Sequence, residues 1–149
     1  MHRRTLIFGS LVLFANVCRA AGWALVTKKE FEDSLATPQP LARTLSRTPD
    51  APMIEVDQPD PTKPIKSPVT IRVRFLPKEG ATIDLTSFRA TYGSLALDIT
   101  QRIVEHAHLS GSGLFAKNAD IPSGRHRVTL QVGDNLHRIG VRTFEFTVS

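Results

Sequence analysis

The sequence predicts an all-β fold, a two-sheet sandwich of about seven short strands, and three observations carry it. Apolar residues alternate with polar ones at period two in Val69–Phe75, Val128–Val132 and Phe144–Val148. Turn residues (Gly, Asn, Asp, Pro) separate such runs at fairly regular spacing. The chain of 149 residues has one cysteine, Cys18, in a segment expected to be removed, so the hydrophobic core alone must hold the domain.

The first twenty residues read as an address. A basic start (Arg3, Arg4) precedes the apolar run Leu6–Val17, about 12 residues or about 18 Å as a helix, short for a bilayer span. Cys18-Arg-Ala20 supplies small residues at the positions a signal peptidase reads, so a secretory signal peptide is expected, cleaved after Ala20 or Ala21. The alternative is an uncleaved anchor. A lipoprotein is disfavoured because Asn16-Val17 are not the small residues that should precede its cysteine. Cleavage places the protein in the periplasm or outside the cell, with no membrane span. It also removes every thiol, and with it thiol catalysis and thiolate metal sites.

Charge excludes a further class. Of 19 Lys and Arg, three fall within residues 1–20, which hold no acid. The remainder stands at 16 against 14, a surplus of two, too small to draw in a phosphate backbone. No nucleic-acid partner is expected.

Residues 21–50 form a leader. Phe31 and Leu35 share a face at i, i+4 in a possible two-turn helix over 28–36. Eight of the ten prolines lie between 38 and 68, so that stretch should be extended, with 37–50 a linker and the domain running over 51–149. Trp23, Val26, Phe31 and Leu35 are candidate apolar anchors for a partner, against the plainer reading of a partly ordered remnant.

The strands follow in order. Met53–Val56 is an edge candidate. Val69, Ile71, Val73 and Phe75 point to the core, and Pro77-Lys-Glu-Gly80 turns the chain. Phe88–Tyr92, Leu95–Ile99 and Ile103–Leu109 are shorter candidates, the last closed by Gly111-Ser-Gly113. Val128–Val132 and Phe144–Val148 end the chain around a Gly133–Gly140 connection. The expected core adds Leu97, Leu130, Phe146 and Val148 to these positions.

The segment Ala119-Asp-Ile-Pro-Ser-Gly-Arg-His-Arg-Val through Phe144-Glu-Phe-Thr-Val148, with Ile83–Phe88 and Asp98–Thr100 upstream, resembles bacterial immunoglobulin-like domains. The resemblance covers about 51–149 and implies an immunoglobulin-like sandwich; it implies little about function. Such domains often carry a tyrosine two residues after the corner glycine. Here His126 follows Gly124, and a structural histidine bonded to the corner backbone is expected.

No Gly-x-Ser-x-Gly elbow and no glycine-rich phosphate loop occurs. No catalytic residue is nominated and no cofactor is expected. Glu105-His106-Ala-His108 would put two imidazoles on one strand face, a candidate site for Cu, Ni or Zn. Asp134-Asn-Leu-His137 is distantly similar to the Asp-x-His of periplasmic copper carriers, which have an immunoglobulin-like fold, but is one residue longer. Arg72 with Arg74, and Arg125 with Arg127, project as pairs from two strands. They suit a solvated face or a strip for an anionic polymer or acidic partner. The reading is therefore a non-catalytic, exported binding or accessory module, with a metal carrier as the alternative.

Overall fold

The computed structural model describes residues 22–38 and 48–149. The expected signal peptide and most of the expected linker lie outside the described residues. In chain order the elements are β1 (Trp23–Ala24), α1 (Lys28–Ala36), β2 (Met53–Gln58), β3 (Val69–Leu76), β4 (Ile83–Tyr92) and β5 (Leu97–Asp98). There follow α2 (Thr100–His106), β6 (Ala107–Ser110), β7 (Gly113–Asp120), β8 (Gly124–Asp134) and β9 (Ile139–Val148).

The fold is mostly β, in two sheets. In one, β3 lies between β2 and β7, antiparallel to both, and the far edge of β7 is shared. Its first half pairs antiparallel with β6 and its end pairs parallel with β1, Trp23 opposite Ala119. The other sheet runs β5-β4-β8-β9, antiparallel throughout.

Alternation decides which face is buried. Val69, Ile71, Val73 and Phe75 point inward while Arg72 and Arg74 face solvent. Phe88, Ala90, Tyr92, Val128, Leu130, Val132, Phe146 and Val148 supply the opposite wall. Phe75 and Phe88 meet across the sheets with ring centres 6.1 Å apart. Leu97 and Phe144 are partly buried against this cluster, so every expected core position lies in it or packs on it.

Several expectations need correction. Ile103–Leu109 is not one strand. Asp98 accepts a bond from the Thr100 amide (2.8 Å) and Thr100 Oγ1 accepts one from Ala90 N (2.9 Å), which starts the turn of α2. Only Ile103 of that helix is buried, and the strand β6 begins at Ala107. The Leu95–Ile99 candidate shrinks to β5 because Ala96 adopts φ 47 in the preceding turn. Strand β7 was not expected at all. The folded unit also reaches back beyond residue 51, since Leu25 and Val26, both 2% exposed, belong to the same core. Among the described residues no helix is long and apolar enough to cross a membrane.

Candidate functional site

A groove where the leader meets the second sheet gathers the most candidate residues. It begins with local helix chemistry. Thr27 caps α1: its hydroxyl accepts the Glu30 amide (3.3 Å), and Glu30 Oε2 accepts the Thr27 amide (2.9 Å). The same carboxylate receives both Arg102 Nη1 (2.8 Å) and Nη2 (2.6 Å) from α2. That guanidinium, with the Thr27 bonds, holds the Glu30 carboxyl down at about 2 despite its partial burial. A nine-residue helix is marginal in isolation; this ion pair and its packing fix it in place.

At the other end of α1, Ser94 Oγ donates to Ser34 O (2.7 Å) and the Ser94 amide to Ser34 Oγ (3.3 Å). Between these ties, Phe31 lies on the Gly124 corner. Gly124 has φ 135, and a methyl there would press into the Phe31 ring. Phe31 also faces the imidazole of His126, ring centres 4.9 Å apart.

His126 is 1% exposed and both ring nitrogens are used. Nε2 lies 2.7 Å from Pro122 O, an oxygen that can only accept, so Nε2 carries the hydrogen. Nδ1 then accepts from the Tyr92 hydroxyl at 2.7 Å. Burial pushes the His126 pKa below its ordinary value, against the Pro122 bond, and it pushes the Tyr92 phenol up to about 12. The imidazole is therefore neutral, bonded to the corner backbone as the sequence suggested, and stacked on Phe146 at 5.5 Å.

Above this layer lies a groove of about 290 Å³, lined by Phe31, Ser34, Leu35, Arg125, Arg127 and Glu145 among others. Leu35 is 65% exposed. Glu145 pairs with Arg125 and lies 3.7 Å from Arg127 Nε. Four expected partner-binding residues (Phe31, Leu35, Arg125 and Arg127) thus converge on one surface. The serines and Glu145 were not singled out in the sequence. Only the Ser94 turn and the Glu145 alternation in β9 could have pointed to them.

The remaining candidates lie elsewhere. Trp23 donates from Nε1 to Lys117 O (2.9 Å) and stacks on His106 at 4.8 Å, so it serves the edge of the first sheet. Val26 is a core residue, with no surface to offer as an anchor. Arg74 binds Glu55 (2.7 Å) and Asp57 (2.8 Å), while Arg72 sits 4.9 Å over the Phe115 ring. These two arginines are used along their own sheet. The metal pair loses its geometric basis: Glu105 and His106 end α2 while His108 lies in β6, so no common strand face presents them. Among the described residues no group of three or more His, Cys, Asp or Glu could hold an ion. Asp134 is instead a turn acid, accepting Leu136 N (2.9 Å), Arg138 N (3.0 Å) and Arg138 Nε (2.7 Å).

Comparison with protein-family models, with curated proteins and with solved structures finds no match.

Proposed function

We propose that this protein is an exported, immunoglobulin-like binding module of the cell envelope, acting without catalysis. It grips an extended segment of a partner protein in the groove between α1 and β8–β9. The convergence of Phe31, Leu35, Arg125 and Arg127 on that groove carries the proposal. An exposed leucine beside two arginines suits a segment that alternates an apolar side chain with an acidic one. Glu145 lies between the two arginines and sets their spacing. The basic start, short apolar run and Cys18-Arg-Ala20 support export. Two sheets around one core, and a histidine bonded to the corner after Gly124, support the immunoglobulin-like reading.

The test is recovery of the C-terminally tagged protein from envelope extract beside its Leu35→Asp and Arg125→Glu variants. A stoichiometric protein retained by the wild type and lost by both folded variants is the expected result. Retention by both variants, or capture of an acidic polysaccharide that depends on Arg125 but not Leu35, overturns the groove as a protein-binding site.

A further inference from the structure

The leader joins the first sheet beside the carboxylate of Asp120. Asp120 ends β7 opposite Ala24, and its carbonyl accepts the Leu25 amide at 3.1 Å. Its carboxylate makes no hydrogen bond or ion pair among the described residues. That carboxylate lies over Gly22: a methyl placed on Gly22 would stand 2.6 Å from its carbon and 2.7 Å from Oδ1. The nitrogen and the Cβ position on one Cα are about 2.5 Å apart, so the Gly22 nitrogen lies within about 5 Å of the carboxylate. Any side chain at position 22 would push the acid away. Glycine lets it sit against the main chain.

This is also the place where the expected cleavage leaves a new amino terminus, at Ala21 or Gly22. Within an intact chain that nitrogen is a neutral amide. Once freed it is an ammonium, with an ordinary pKa of about 7.7–8. We propose that cleavage of the signal peptide after Ala21 frees the Gly22 nitrogen as an ammonium that pairs with the Asp120 carboxylate and fastens β1 to β7. Processing then tightens the arm on the sheet, and the unprocessed chain holds β1 less firmly. The proposal rests on the export reading given above.

The chain has a single tryptophan, Trp23, within β1 itself, so its emission reports docking of that strand. The Leu25 amide, bonded to Asp120 O, is a second reporter. The chain beginning at Gly22, released from a cleavable N-terminal fusion, is compared with its α-acetylated and Asp120→Asn forms. At pH 7 the free-amine wild type should exchange the Leu25 amide about three- to tenfold more slowly than either altered form. Its terminal amine should titrate above pH 8, by the Trp23 signal, and Asp120→Asn should return that step to its ordinary position. Equal exchange and coincident titrations in wild type and Asp120→Asn overturn the pair. The mass of the chain recovered from the periplasm tests export separately. A recovered chain that begins anywhere but Gly22 overturns the processing step even where the trimmed chain forms the pair.

Discussion

Phe31 in α1 lies 4.9 Å from the imidazole of His126 in β8, and His126 in turn bonds Tyr92 in β4. One aromatic contact thus joins the leader helix to the middle of the second sheet. A stretch of chain that would be unstable alone becomes the wall of a groove.

The Glu30–Arg102 pair should govern how firmly that wall is held. Its two side chains are 22% and 37% exposed, so Glu30→Gln should cost about 1 kcal/mol, well short of a buried pair. Because the Glu30 carboxyl is lowered in the fold, the contribution is complete above its unfolded value of about 4.3. It is lost as pH falls toward about 2. Chemical denaturation between pH 6 and 2.5 should show a decline in wild type that is shallower in Glu30→Gln.

His126 titrates over a different window. The fold holds it neutral, whereas the unfolded chain takes up a proton near pH 6.5, so stability should fall as pH drops below that value. His126→Phe keeps the ring but leaves Tyr92 Oη and Pro122 O without their partner, at a cost of about 1–3 kcal/mol at pH 8. The same variant should lose the decline near pH 6, which a pH series of urea midpoints would reveal.

Gly124→Ala should strike the arm twice. It strains a backbone at φ 135 and drives a methyl into the Phe31 ring, so a loss of about 1–3 kcal/mol is expected. Amide exchange in α1 should accelerate more than in β3, and equal acceleration would place the damage elsewhere.

The strand register is tested by neighbours. Leu130 is 3% exposed and Gln131 points the other way. Leu130→Ala should cost about 2–5 kcal/mol and Leu130→Asp should abolish soluble accumulation. Gln131→Asp should stay within about 0.5 kcal/mol of wild type. Soluble Leu130→Asp protein would shift the register by one residue.

What the sequence made legible follows the burial pattern. β3 and the middle of β8 have one wet and one dry face, so their residues alternate cleanly. The α2–β6 segment misleads because Ile103, Ala107 and Leu109 sit at odd positions and imitate a strand, although only Ile103 is held by the helix. β7 escapes detection because Lys117-Asn118 interrupts its apolar residues, with Asn118 at φ 56. The histidine at the corner was readable only through the resemblance, which implies a structural side chain two residues after the corner glycine, here Gly124. The docked arm was not, since its decisive contacts join Glu30 to Arg102 and Phe31 to His126 across long sequence separations. The capping pair Thr27 and Glu30, which fixes the helix start, was not singled out in the sequence.

An arm built into the domain also changes what a deletion does. Removing 21–50 would strip Leu25 and Val26 from the core, so it should destabilise the domain and not merely remove a tether. The decisive measurement is residue-resolved hydrogen exchange of the chain beginning at Ala21, read at Leu25, Phe31 and the β3 amides. Docking predicts that Leu25 and Phe31, bonded to Asp120 O and Thr27 O, are protected at least a hundredfold over a free peptide. Exchange of both at free-peptide rates, beside a protected β3, would contradict a folded arm and remove the groove with it.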